Sequence, residues 1–181
     1  DQEAITWFKR LLDIRPGDYD CSLNLAQLHA ARGNAGASQA VHYLRSALQC
    51  RPSSKEARDI YVQMAAVQKS VRLWKDAQQT LEGAVREIPD DAELWQRLLE
   101  VCDQLQDQAG QQQCHSRLAQ LNGMTPASRV SYGELLLDGG KLREAREQFE
   151  LALKAEPDNL QARLKLATCW RQDPSREGYL D

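Results

Sequence analysis

The residues best suited to acid–base chemistry in this chain are three histidines, His29, His42 and His115, which are far apart in the sequence. His29 stands apart from the other two, and an isolated histidine in a helix is more often a core or boundary residue than a base or a ligand. Acidic residues are plentiful, but they form charged runs typical of solvated faces rather than an isolated pair. The sequence therefore predicts no catalytic residues.

The five cysteines stand singly at positions 21, 50, 102, 114 and 169, and no CxxC motif occurs. Cys102 and Cys114 could meet across a helical hairpin. The preferred interpretation is five small, mostly buried apolar side chains, so we predict no metal site. Free thiols favour a reducing compartment, which indicates the cytoplasm, with the periplasm as the alternative.

Motifs for cofactor chemistry do not occur in the sequence. It has no Gly-rich phosphate loop, no HExxH and no GxSxG, which predicts a non-enzymatic protein without cofactors. The chain has a formal net charge of −3, so it lacks the excess of basic residues that is typical of a nucleic-acid binder. No apolar run reaches the roughly 18 residues that span a bilayer, so membrane insertion is not expected.

A repeat in the sequence indicates which elements carry these residues. Pro89 and Pro157 close two stretches of similar sequence, and Ala77 and Ala145 precede them at the same distance. Other matching pairs are Leu81 with Phe149 and Ala84 with Ala152, and Pro52 and Pro16 close similar stretches. The separation of Pro89 and Pro157 is two periods of about 34 residues each, and such a fixed period predicts stacked helical hairpins rather than one compact core.

This pattern resembles the tetratricopeptide repeat (TPR) family. The resemblance implies an all-α, right-handed superhelical solenoid of antiparallel helix hairpins over residues 1–181, which read as a fragment of a longer protein. We expect hairpin turns near 33–36, 70–73, 106–108 and 139–141. The predicted units are a partial repeat 1–18, repeats 19–54, 55–91, 92–125 and 126–159, a partial repeat 160–173 ending at Asp173-Pro174, and a loose tail 174–181.

Repeat 92–125 departs from the pattern. Leu99 replaces a small residue, and Gln111 and His115 stand where Ala and an aromatic residue are expected. Gly123 stands in place of the closing proline. We expect this hairpin to be the least tightly packed.

The resemblance also implies a binding surface, because the first helices of TPR hairpins line a concave groove. Some TPR proteins bind the C-terminal carboxylate of a chaperone with a set of Lys and Asn side chains in this groove. The sequence does not contain that set. The predicted groove is acidic toward its C-terminal half and carries apolar anchors, although plain solvated surface is the alternative for its acidic stripe. The predicted partner-binding residues are Glu93, Gln96, Arg97, Glu100, Asp103, Val130, Glu134, Leu137 and Asp138, with Val62 as a further anchor.

These features predict a scaffold that holds a peptide segment or helix of another protein, and the acidic residues favour a segment bearing Lys or Arg. The alternative is the TPR arm of a larger assembly, either a glycosyltransferase appendage or a periplasmic scaffold for polysaccharide or pilus export. We also expect end-to-end self-association through apolar surface on residues 3–14 and around Leu166 and Trp170, unless Tyr179-Leu180 folds back as a cap.

Overall fold

The computed structural model describes residues 2–172, and every regular element among them is helical. The helices are α1 Gln2–Ile14, α2 Tyr19–Ala30, α3 Ala37–Gln49, α4 Ser54–Ser70, α5 Trp74–Glu87, α6 Ala92–Leu105, α7 Gln108–Gln120, α8 Pro126–Asp138, α9 Leu142–Ala155 and α10 Leu160–Gln172, with a short 3-10 turn at Gly33–Ala35. The predicted all-α fold is confirmed, as are the four predicted hairpin turns. The predictions for Asp173-Pro174, the tail and Tyr179-Leu180 lie outside the described residues.

The chain divides into two compact units, Asp1–Gln106 and Asp107–Asp181. In unit 1, α2 packs on α3 and α4 on α5, and in unit 2, α8 packs on α9. The boundary falls in the turn of repeat 92–125, the repeat whose sequence departs furthest from the pattern.

Local signals explain where the helices begin and turn. The Ser53 hydroxyl and the Glu56 carboxylate form a reciprocal capping box at the start of α4. Thr125 caps α8 by accepting from the Ser128 backbone N–H, and Pro126 fits the first turn, where its missing N–H costs nothing. Gly140 turns the chain from α8 into α9 with a φ of +74°, a conformation open to glycine.

Small residues let the helices of unit 1 approach closely. Ala26 of α2 and Ala47 of α3 are buried in one cluster with Leu44, Ile60 and Met64, which joins the first hairpin to α4. The matching small residues of the second hairpin, Ala65, Ala77 and Ala84, are also buried. The register predicted from the repeat period is thereby confirmed for unit 1.

Unit 2 uses the same packing around one aromatic ring. Phe149 is fully buried between α8, α9 and α10 together with Ala145 and Ala152. A Cβ added at Gly133 would lie 2.5 Å from the Phe149 ring, so only glycine fits there without rearrangement. The small residues predicted at positions 133 and 145 are therefore required by packing.

The apolar surface predicted on α10 lies elsewhere on that helix. Leu166 packs partly against the unit 2 core, and Trp170 is half-buried with the Arg146 guanidinium 4.6 Å from its ring centre. The exposed residues are instead Leu160 and Leu164, at 67% and 61% exposure. The prediction was wrong because the face at positions 162, 166 and 169 packs on the preceding hairpin.

Candidate partner-binding surface

The predicted binding residues of unit 1 lie on α6. Glu93, Gln96, Glu100 and Asp103 recur every three or four residues, and all four are exposed. This spacing places them on one side of the helix, opposite the buried Leu94, Leu98 and Val101. We call the exposed side chains of the first helices α2, α4, α6, α8 and α10 the first-helix face, and each unit carries its own part.

Arg58 joins α4 to the start of α6. Its guanidinium Nε donates to the Asp91 carboxylate at 2.5 Å, and its NH2 group pairs with Glu93. Burial opposes ionisation of Asp91, but hydrogen bonds from Arg58 and from the Leu94 backbone N–H hold its pKa below the ordinary value. Glu93 also accepts from Arg97 at 2.6 Å, and the bond from Arg97 is the main cause of its lowered pKa. Glu93 therefore stays ionised near neutral pH, inside a cluster of mixed charge.

A second ion pair joins the same two helices further along. The Lys69 ammonium of α4 lies 2.7 Å from the Glu100 carboxylate of α6. The Glu100 side chain remains 58% exposed, so this attraction is screened by solvent and contributes little to stability. Both charges stay accessible to a partner.

Unit 2 repeats the arrangement with the charges exchanged. Glu134 of α8 lies 2.8 Å from the Lys165 ammonium of α10 and also accepts a hydrogen bond from Gln161 at 3.3 Å. The hydrogen bond with Glu134, together with the nearby charge of Asp138, raises the pKa of Lys165. Asp138 itself is exposed at the end of α8.

The predicted apolar anchors differ in accessibility. Leu137 and Val62 are half-buried and reach the surface in part. Val130 is only 3% exposed and belongs to the unit 2 core. The prediction that Val130 lines an open surface was wrong, because α8 turns this position toward α9 and α10.

The predictions from sequence missed the lysines that pair with Glu100 and Glu134. Lys69 precedes Glu100 by the same number of positions as Glu134 precedes Lys165. This spacing is slightly shorter than one repeat. It places the two residues on successive first helices, on the sides where those helices face each other. Opposite charges at this spacing could have revealed both pairs before the structure.

Two of the histidines considered for acid–base chemistry, His29 and His115, are buried packing residues. His29 and His115 are 4% and 2% exposed and stack on Tyr43 and Tyr132, which confirms the packing role predicted for His29. None of the five cysteines, all within the described part of the chain, forms a disulfide. Within residues 2–172, no group of three or more His, Cys, Asp or Glu side chains is arranged to hold a metal ion. None of the helices in that range is long and apolar enough to cross a membrane.

The comparisons with known proteins agree with this architecture. Residues 126–169 match the tetratricopeptide repeat family model, and this segment covers α8, α9 and most of α10. Residues 126–169 are therefore similar to a tetratricopeptide repeat, as the resemblance predicted. No curated protein sequence matches the chain at a significant level.

Solved structures show the same fold. YrrB, a TPR protein with an unusual peptide-binding site, has a TM-score of 0.64 and 22% identity, covering 94% of this chain and 85% of its own. MamA has a TM-score of 0.61 and 14% identity, with 84% and 81% covered. The first TPR of Spaghetti (RPAP3), bound to the HSP90 peptide SRMEEVD, has a TM-score of 0.51 and 17% identity, with 63% and 90% covered. At these identities the likeness establishes the helical-repeat fold alone.

Proposed function

We propose that this protein is a non-catalytic interaction scaffold that binds a peptide segment of another protein on its first-helix face. The observation that carries the proposal is that each unit has its own solvent-accessible carboxylate paired with a lysine of a neighbouring first helix, Glu100 with Lys69 in unit 1 and Glu134 with Lys165 in unit 2. Structurally similar TPR proteins that bind peptides, YrrB and RPAP3, give the proposal support.

The charges suggest what kind of segment fits. Glu100 and Glu134 each have one cation beside them and remain open to solvent, so a partner lysine or arginine can share the carboxylate. Lys69 and Lys165 can in turn take an acidic group of the same segment. We therefore propose a segment of mixed charge that bears Lys or Arg, with an apolar residue placed on Leu137 in unit 2 or Val62 in unit 1.

Charge reversal tests this proposal one unit at a time. A random peptide library displayed on phage would be selected on the whole chain, and the affinity of the selected peptides measured by calorimetry. Glu100→Lys and Glu134→Lys should each weaken binding by about tenfold at low salt, and by less at physiological salt because solvent ions screen the charges. Glu147→Lys, an exposed change on α9, is the matched control and should have no effect.

Equal affinity of all three variants at both salt concentrations would remove the site from the first-helix face. Glu100 and Glu134 would then be ordinary solvated surface.

A second candidate is an arm of a larger assembly, such as a glycosyltransferase or an export scaffold. The apolar stripe on α1 favours it, since Trp7, Leu11 and Ile14 are 64%, 44% and 74% exposed and lie one helical turn apart. We propose the cytoplasm as the location, with the periplasm as the alternative. Fractionation of cells that express the native gene would separate the two.

A further inference from the structure

Helix α10 exposes apolar side chains along one side. Leu160, Leu164 and Ala167 are all exposed, and their spacing of four and then three residues places them on the same side of the helix. The other side of α10, with Ala162 and Cys169, belongs to the core of unit 2. We call the three exposed residues the α10 stripe.

Ala167 holds the small-residue position of the first helices. Gly133 lies one repeat period before it, and Ala65 and Ala26 hold the same position in earlier hairpins. These three residues are buried, and Gly133 lies directly against Phe149 of the second helix α9. Ala167 is exposed instead. The α10 stripe is therefore the kind of surface that a second helix covers in the hairpins.

Helix α1 exposes the matching surface of a second helix. We call its exposed residues Trp7, Leu11 and Ile14 the α1 stripe, and their spacing is the same as that of the α10 stripe. Leu11 lies five residues before Pro16, and the residues at this distance before the other three closing prolines are Ala47, Ala84 and Ala152. Those three alanines are fully buried in their hairpins, whereas Leu11 is 44% exposed.

We propose that α10 of one copy of this chain packs on α1 of a second copy, so that the two helices form a hairpin between chains. A second copy fits because the same chain supplies both surfaces, one typical of a first helix and one typical of a second helix. The two surfaces differ, so the contact is head to tail and further copies can add to it. The proposal rests on the hairpin-packing surfaces and is independent of peptide binding on the first-helix face.

Two substitutions block one stripe each. Leu11→Glu on α1 and Ala167→Glu on α10 change exposed residues, so the fold should be kept, and the Tm checks this. Each variant alone should self-associate about tenfold more weakly than the wild type, because the contact would bury a carboxylate against apolar side chains. Leu151→Glu, at an exposed leucine of α9, is the matched control and should associate like the wild type.

A mixture of the two variants tests the head-to-tail contact itself. Leu11→Glu keeps an intact α10 stripe and Ala167→Glu keeps an intact α1 stripe, so an equimolar mixture at millimolar protein should form one-to-one dimers in sedimentation velocity. Growth should stop there, whereas the wild type should continue to larger assemblies.

Three results would each overturn the proposal. The first is a wild-type chain that stays monomeric at millimolar concentration, which would leave the α1 stripe to another protein. The second is undiminished association of Ala167→Glu, since the α1 stripe would then pair with itself or with another surface. The third is a mixture in which no species is larger than in the separate variants.

Discussion

Single missing atoms set the distance between helices in this protein. Gly133 lacks the Cβ that would collide with Phe149, and Ala145 is fully buried in the same cluster. Packed interiors do not tolerate added volume, since neighbouring side chains must leave their preferred rotamers. These two positions therefore control whether α8 and α9 can form their hairpin.

Gly133→Ala should destabilise the chain by about 1–3 kcal/mol, and Ala145→Leu by a similar amount, because each overpacks the Phe149 cluster. Gly139→Ala is the control. A Cβ there meets its nearest atom at 3.4 Å with an ordinary negative φ, so its effect should stay within about 0.5 kcal/mol. Chemical denaturation measures all three. If Gly133→Ala and Ala145→Leu unfold like the wild type, the assigned register is wrong.

The buried histidines should make stability depend on pH. Burial lowers the pKa of His115 from 6.5 to about 4, and burial is also the main cause of the lowered pKa of His29. Below pH 6.5 the unfolded chain binds a proton at His115 that the folded chain does not, so stability present above that pH is lost as the pH falls toward 4. For His115 alone the loss should be about 2 kcal/mol at pH 5.

Denaturation at pH 7.5 and pH 5 checks this for the wild type and for His115→Phe, which keeps a ring beside Tyr132. The variant should lose less stability than the wild type over this interval, by about 2 kcal/mol, because it has no imidazole to protonate. An equal loss in both proteins would show that His115 does not titrate as its burial requires. His42→Phe serves as the control, because His42 is exposed.

At the scale of the helices, Asp91 has two roles that substitutions can separate. One carboxylate oxygen caps α6 by accepting from the backbone N–H groups of Glu93 and Leu94, while the other pairs with Arg58 of α4. Asparagine can keep the cap but cannot keep the ion pair.

Asp91→Asn should therefore cost about 0.5 kcal/mol, and Asp91→Ala about 1–2 kcal/mol, measured by thermal unfolding. The larger loss of stability expected for alanine comes from the loss of the cap at the start of α6. If both substitutions lower the stability equally, the cap contributes nothing and the ion pair with Arg58 accounts for the whole effect.

The helices could be predicted from the sequence because their signals are local. The periodic spacing of small residues and the turns after Leu105 and Asp138 depend on only a few neighbouring positions. The pairing of Lys69 with Glu100 and of Glu134 with Lys165 depends on how successive hairpins stack, so the pattern of each repeat alone did not predict it. Val130 was misassigned for the same reason, since α9 and α10 together enclose it.

The fold leaves apolar residues of α1 exposed to solvent. Trp7, Leu11 and Ile14 form a stripe long enough to bury against a second copy of the chain. We therefore predict self-association that grows with concentration.

Sedimentation velocity from micromolar to millimolar protein measures this. Trp7→Glu should shift the distribution toward monomer, whereas Leu151→Glu, a single exposed leucine on α9, should not. A wild-type chain that remains monomeric at millimolar concentration would contradict the prediction.

NMR mapping of a bound peptide would show whether a partner segment binds on the first helices. The peptide would be one selected on the whole chain. We expect backbone and side-chain shifts on α6 around Glu93, Gln96 and Glu100, on α8 around Glu134 and Leu137, or on both. Shifts confined to the second helices α3, α5, α7 and α9 would contradict it.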